Sequence, residues 1–275
     1  MEFVKEQEWL LENLQNTEIR IVDCRFSLAN PNMGKESYLN GHIPGAVFFD
    51  LEKDLSKPVE KHGGRHPLPD LQVFIQKLED AGINEKVKVI VYDGGEGSFA
   101  SRFWWMLKYL GHENVFVLNG GFSDWNKKSY PTSLEIPSYE KNIFDVNVQH
   151  EIVASIDEVK KVVQNTPDKE ILIDSREERR YLGLEEPIDK KAGHIPGAIN
   201  KPWIQGLNQG HFKSEAEQMK RFSDIDPEKT VIVYCGSGVT AAPNYLALKE
   251  AGYKHVKLYV GSFSDWISYE ENEIG

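Results

Sequence analysis

Cys235 stands where a thiol is chemically activated. Val231-Ile232-Val233-Tyr234 reads as a buried parallel strand, and the glycine-rich run Cys235-Gly236-Ser237-Gly238-Val239-Thr240 follows at once. Ala241-Ala242-Pro243-Asn244-Tyr245-Leu246-Ala247-Leu248 then reads as a helix with Pro in its first turn. A thiol at a strand end, ahead of such a turn, faces backbone N–H groups and the positive end of a helix. Those groups favour thiolate over thiol, and the thiolate is the nucleophile. Gly236 and Gly238 are expected to turn the loop's amides inward through positive φ. The Thr240 hydroxyl is expected to accept from the first amides of the helix. Read without its loop, Cys235 would be a small buried hydrophobe at a strand end. Far upstream, Val89-Ile90-Val91-Tyr92 repeats the strand almost letter for letter, but Asp93 takes the place of the cysteine.

The elements that position this loop occur twice. Ile21-Val22-Asp23-Cys24-Arg25 matches Leu172-Ile173-Asp174-Ser175-Arg176, and Gly41-His42-Ile43-Pro44-Gly45-Ala46 recurs unchanged from Gly193 to Ala198. Gly120-Gly121-Phe122-Ser123-Asp124-Trp125 answers Gly261-Ser262-Phe263-Ser264-Asp265-Trp266. Together with Asp93 and Cys235, these anchors keep their order, at offsets of 151, 152, 142 and 141 residues. A period this long marks duplicated domains, not a solenoid. The 275 residues suit two domains of roughly 100–150 residues each. We place a first domain at 1–137, a linker at 138–148 and a second domain at 149–275. In the second, Ile156–Val163 reads as a helix, Glu170–Asp174 as a strand and Glu215–Phe222 as a helix capped by Ser214, with a short strand at Val256–Val260. Strands alternating with helices predict an α/β fold in which each domain is a parallel sheet with helices on both faces. Ligands of such sheets bind beyond the carboxyl ends of the strands, where Cys235 lies.

Composition is that of a globular chain, with 40% hydrophobic and 27% charged residues. No run approaches the roughly 20 apolar residues of a membrane span, and the N-terminus lacks the pattern of a signal peptide. Two cysteines cannot make a disulfide scaffold, so the cytoplasm is the expected home. A net charge of −11 disfavours nucleic acid and anionic membrane as partners. No His/Cys cluster has metal-ligand spacing, no cofactor is expected, and Asp93-Gly94-Gly95-Glu96-Gly97 lacks the Lys of a P-loop.

On these motifs the chain resembles the two-domain rhodanese family of sulfurtransferases. The resemblance covers nearly the whole chain and includes the Asp93/Cys235 asymmetry. It implies two tandem rhodanese-like domains, an inactive first copy, and a ping-pong reaction through a persulfide on Cys235. The expected substrates are a small anionic sulfur donor and a thiophilic acceptor such as cyanide, a small thiol or a thioredoxin-like protein. Cysteine phosphatases of similar fold use a loop one residue longer, closed by an arginine. Here Thr240, Ala241 and Ala242 follow the loop, which argues against phosphate-ester hydrolysis.

The neutral Gly236-Ser237-Gly238 run looks like the 3-mercaptopyruvate branch of that family, since thiosulfate enzymes carry basic residues after the cysteine. Matching Phe48-Phe49-Asp50 and His66-Pro67-Leu68-Pro69 to that branch implies a Ser237–His66–Glu52 proton relay, with Glu52 where the branch usually has Asp. The same matching gives Arg180 the donor's anionic end, which a planar fork of donors suits. The branch usually has a second substrate arginine, but the stretch Leu184–Ala192 offers only Lys190 and Lys191. That departure leaves thiosulfate open as donor, and a non-enzymatic rhodanese-like binding or sulfur-relay module is the alternative class. Asp174 and Arg176, like Asp23 and Arg25, are expected to support the loops as structural pairs. His42 and His194 occur in both copies and are expected to stabilise turns, and Cys24 to pack in the core.

Overall fold

The Val- and Ile-rich runs form parallel strands because helices cover both faces of each sheet, leaving no face for polar residues. The computed structural model describes residues 1–164 and 169–275. These divide into two compact units. The first comprises Met1–Lys57, Leu68–Gln149 and Gln209–Phe212, and the second Pro58–Pro67, His150–Asn208 and Lys213–Gly275. Residues 138–148, expected as a linker, are tied to the first unit: Tyr139 Oη donates to Gly45 O at 2.7 Å and Asn142 Nδ2 to Gly82 O at 2.9 Å.

In the first unit, β1 (Val4–Lys5), β2 (Ile19–Asp23), β3 (Ala46–Phe48), β4 (Lys88–Tyr92) and β5 (Val115–Leu118) form a parallel sheet in the order β1-β5-β4-β2-β3. In the second, β6 (Glu170–Asp174), β7 (Ile199–Asn200), β8 (Thr230–Tyr234) and β9 (Val256–Leu258) form one in the order β9-β8-β6-β7. Leu172, Ile232 and Tyr234 pack on one face with Val159, Val162, Phe263 and Trp266. Side chains alternate along a strand, so Val231 and Val233 point to the other face. There helix Ala241–Glu250 packs on β8 and β9, with nine of its ten residues buried. A helix enclosed on all sides has no polar stripe to keep, which its Ala- and Leu-rich sequence reflects.

The two sheets end alike. Tyr234 pairs with Asp174 as Tyr92 pairs with Asp23. The residue after β6 and the residue after β2 close the ladders, Ser175 N donating to Tyr234 O and Cys24 N to Tyr92 O, both at 2.8 Å. Residues 93 and 235 therefore leave their sheets at the same point of the fold. The helix beginning at Glu215 is capped by Ser214 as expected, in a capping box that Glu217 closes, and ends at Arg221. The last strand stops at Leu258, two residues early, because the chain turns there into helix Ser262–Trp266 and Ser262 Oγ donates to Tyr259 O at 2.9 Å. Among the described residues, no helix is long and apolar enough to cross a membrane.

Candidate active site

Cys235 follows the last residue of β8 and is 1% exposed. Its Sγ accepts the Gly238 N–H at 3.1 Å, and its own N–H donates to Ser262 Oγ at 3.1 Å. The Ser262 Oγ lies 3.9 Å from the sulfur. Two further bonds fix the loop to helix Ser262–Trp266, from Phe263 N to Cys235 O and from Ser264 N to Gly236 O, each 3.0 Å. Gly238 has φ 76°, and a Cβ on it would collide with Val260 O, so the turn that aims its amide at the sulfur requires glycine. Gly236 does not share that conformation, contrary to expectation. Its missing Cβ instead leaves room for a side chain above the loop, since a Cβ would sit 2.8 Å from Arg65 Nη2. Thr240 does not cap the helix. Its backbone is already helical (φ −76°, ψ −3°), and its side chain makes no bond to the helix amides. Val239 is buried, and its carbonyl accepts Ala242 N at 3.1 Å, which begins the helix.

The first unit carries a carboxylate where the second carries the thiol. Asp93 is 1% exposed and lies at the same point of its sheet. Its Oδ1 accepts N–H groups from Gly95 and Gly97, both at 2.9 Å, and its Oδ2 accepts from Phe99 at 3.0 Å and Ala100 at 3.1 Å. Burial pushes the carboxyl pKa up, and these four N–H groups work against that rise by favouring the anion. The strand end of the first copy is thus lined with N–H groups that the chain's own Asp93 side chain fills.

Segment 58–67 lies in the second unit and brings two further groups to Cys235. Gly63 N donates to Asp265 Oδ1 at 2.6 Å and Arg65 N to Ser264 Oγ at 3.1 Å, while His62 stacks on Tyr269 with ring centroids 4.1 Å apart. Gly64 allows this approach: its φ is 81°, and a Cβ would come within 2.9 Å of Ser264 Oγ. Held this way, His66 places Nδ1 2.8 Å from Ser237 Oγ, with both residues buried. Glu52 belongs to the first unit, where its side chain is exposed and its N–H donates to Asp50 Oδ1 at 2.9 Å.

Arg180 is buried and already engaged. Its Nη2 donates to Glu186 Oε1 at 2.7 Å and to Asp189 Oδ2 at 3.0 Å. The other Asp189 oxygen pairs with Arg65. The guanidinium of Arg65 reaches over Gly236 beside that of Arg180, whose Nη2 would lie 3.5 Å from a Cβ there. Burial lowers the Arg65 pKa, and the Cys235 charge is the strongest side-chain influence opposing that fall. Lys190 and Lys191, the substitutes considered from sequence, are both exposed.

The frame around the loop is duplicated to the atom. Arg176 Nη2 donates to Asp174 Oδ2 at 2.6 Å and to Gly193 O at 2.7 Å, and its guanidinium lies 4.1 Å over the Phe263 ring. Arg25 makes the same bonds to Asp23 and Gly41 O, at 2.6 and 2.7 Å, over Phe122 at 3.9 Å. Each pair ties a strand end to its Gly-His-Ile-Pro-Gly turn. The histidines of those turns bond backbone carbonyls, His42 Nδ1 to Tyr38 O at 2.8 Å and His194 Nδ1 to Tyr181 O at 2.9 Å. Cys24 is buried, and burial followed by the charges of Asp23 and Asp93 pushes its thiol pKa well up. It stays a thiol at neutral pH. Native protein treated with iodoacetamide at pH 7 is expected to leave Cys24 unmodified until denatured, as peptide mass spectrometry would read directly.

A family model described as Rhodanese-like domain matches residues 6–128 and 155–269. The chain belongs to the rhodanese family. It is 36% identical to the 3-mercaptopyruvate sulfurtransferase of Escherichia coli, over 94% of this chain and 92% of that one. It is 33% identical to the thiosulfate sulfurtransferase of Rattus norvegicus, over 94% and 90%. A solved structure of a 3-mercaptopyruvate sulfotransferase from Escherichia coli superimposes with a TM-score of 0.84 at 34% identity, over 96% of this chain and 100% of that one.

Two residues of this rhodanese escaped the sequence reading. Arg65 carries no sequence signal, because nothing local ties residues 58–67 to a loop some 170 positions later. Ser262 did leave a signal: it replaces Gly121 of the first copy, just as Cys235 replaces Asp93. It keeps a left-handed φ of 56° that costs a non-glycine residue about 1–2 kcal/mol. Strain of this kind collects where a side chain is needed in place.

Proposed function

We propose that this rhodanese is a sulfurtransferase that moves one sulfur atom from 3-mercaptopyruvate to a thiophilic acceptor through a persulfide on Cys235. The observation that carries the reading is the place of Cys235, which leaves its sheet where Asp93 leaves the other, Asp93 accepting four N–H bonds there and Cys235 Sγ accepting the N–H of Gly238. The thiolate of Cys235 attacks the donor sulfur. A sulfur–sulfur bond forms, the carbon–sulfur bond breaks, and the electron pair leaves on C3 as the enolate of pyruvate, which is then protonated at carbon. The acceptor, cyanide or a thiolate of a small molecule or thioredoxin-like protein, takes the outer sulfur and returns Cys235 as thiolate. The Gly238 N–H stabilises the negative charge on sulfur in both steps. The hydroxyl of Ser237, bonded to His66 at 2.8 Å, is placed to move the proton that the leaving enolate requires. Two free cysteines fit a reducing compartment, and we assign the reaction to the cytoplasm.

Thiosulfate is the second reading for the donor, favoured by the two guanidinia above Gly236, which suit a dianion. The deciding experiment measures kcat/KM for both donors with one acceptor, alongside Ser237→Ala. Sulfite leaves thiosulfate as a stable anion and needs no proton, whereas the enolate does. Ser237→Ala is therefore expected to lower kcat/KM for 3-mercaptopyruvate by about 10²-fold while changing thiosulfate turnover by less than about threefold. A wild-type preference for thiosulfate would overturn the donor assignment. Failure of both donors to give Cys235-dependent turnover would leave a binding or relay module in its place.

A further inference from the structure

Asp189 spans two arginines, and its position describes a ligand. Its side chain is 1% exposed, one oxygen pairing with Arg65 and the other with Arg180 Nη2 at 3.0 Å. A planar carboxylate bonded by two guanidinia is thus a shape this site already holds. Both guanidinia hang over Gly236, next to Cys235, with Arg65 Nη2 2.8 Å and Arg180 Nη2 3.5 Å from where a Cβ of residue 236 would be. Around the site, Arg65, Arg176 and Arg180 face Asp174, Glu186 and Asp189, three guanidinia against three carboxylates before Cys235 is counted. An added anion gains full attraction only when one of these carboxylates withdraws. Asp174 is held by three bonds to Arg176, and Glu186 accepts the N–H groups of Ile188 and Asp189 as well as both arginines. Asp189 has the simplest exit, since it lies between the exposed residues Ile188 and Lys190.

We propose that Arg65 and Arg180 form a two-guanidinium site for the donor's carboxylate, and that Asp189 occupies that site in the resting protein and is displaced by the donor. Arg65 thereby supplies the second cation that the stretch Leu184–Ala192 lacks. The proposal rests on the donor reading above for its ligand, but its geometry concerns binding and not sulfur chemistry.

The test uses the full chain with Arg65→Gln, Arg65→Lys and Asp189→Asn. It reads the KM and kcat for 3-mercaptopyruvate and, by calorimetry, the affinity for pyruvate, which carries the carboxylate without the sulfur. Arg65→Gln is expected to raise KM and weaken pyruvate about tenfold or more while kcat changes by less than about threefold, and Arg65→Lys to recover part of the loss. Asp189→Asn is expected to do the opposite, lowering KM and tightening pyruvate several-fold. Unaltered KM and pyruvate affinity in Arg65→Gln would overturn the proposal. So would an Asp189→Asn variant that binds pyruvate more weakly, because Asp189 would then hold the arginines in place instead of competing for them. Arg65-dependent pyruvate binding without any Cys235-dependent turnover would uphold the site and sink the catalytic reading. Turnover with Arg65-independent pyruvate binding would do the reverse.

Discussion

Cys235→Ser is expected to lower donor-dependent turnover by about 10⁴-fold or more while leaving the fold intact. The hydroxyl fits the space of the thiol and can accept the same Gly238 N–H. It differs in acidity, because a serine hydroxyl is not an anion at neutral pH and the Gly238 N–H has no charge to stabilise before attack. The one other cysteine, Cys24, is buried with its thiol pKa pushed well up, and offers no substitute. Steady-state rates with 3-mercaptopyruvate and mass spectrometry of the donor-treated protein check this together, since wild type gains one sulfur at residue 235 and the variant gains none. More than about a hundredth of wild-type turnover in Cys235→Ser would mean that the nucleophile lies elsewhere. Cys235→Asp is an informative companion, because it writes the first unit's residue into the second. It is expected to fold and to be equally inactive.

The second large effect falls on stability. Asp174→Ala is expected to destabilise the second unit by about 3–5 kcal/mol, because it leaves the fully buried Arg176 without its main counter-charge. The nearest remaining carboxylate, Glu186, is 3.2 Å from Arg176 Nη1 and is shared with Arg180. The melting temperature should fall by roughly 10 °C, read by calorimetry. Replacing both partners together, Asp174→Leu with Arg176→Met, removes the stranded charge as well and is expected to recover most of the loss. If Asp174→Ala alone melted with wild type, the pair would be an ornament of the strand end and not a support for the turn at Gly193.

Much of this architecture was legible in the chain because the chain is written twice. A duplicated strand end is an internal alignment, and the change from Asp93 to Cys235 within it stands out against an unaltered background. The Asp-x-Arg pairs and the turn histidines were legible for the same reason: they occur where there is no nucleophile to serve. Local geometry within the loop was read less well. Glycine reports that a side chain is absent without saying whether φ or space demands it, which is why Gly236 and Gly238 looked alike. Thr240 has the composition of a cap, but the helix begins in backbone that is already helical there. Least legible was Arg65. Ion pairs carry no sequence spacing, and its partner Asp189 lies more than a hundred residues away.

The carboxylate that fills the first unit's cradle also sets a capacity. A side chain that occupies its own binding loop cannot be discharged, and on the proposed mechanism that copy would neither compete for sulfur nor store it. On the proposed mechanism each chain is a vessel of one atom, loaded by the donor and emptied by the acceptor at a single address.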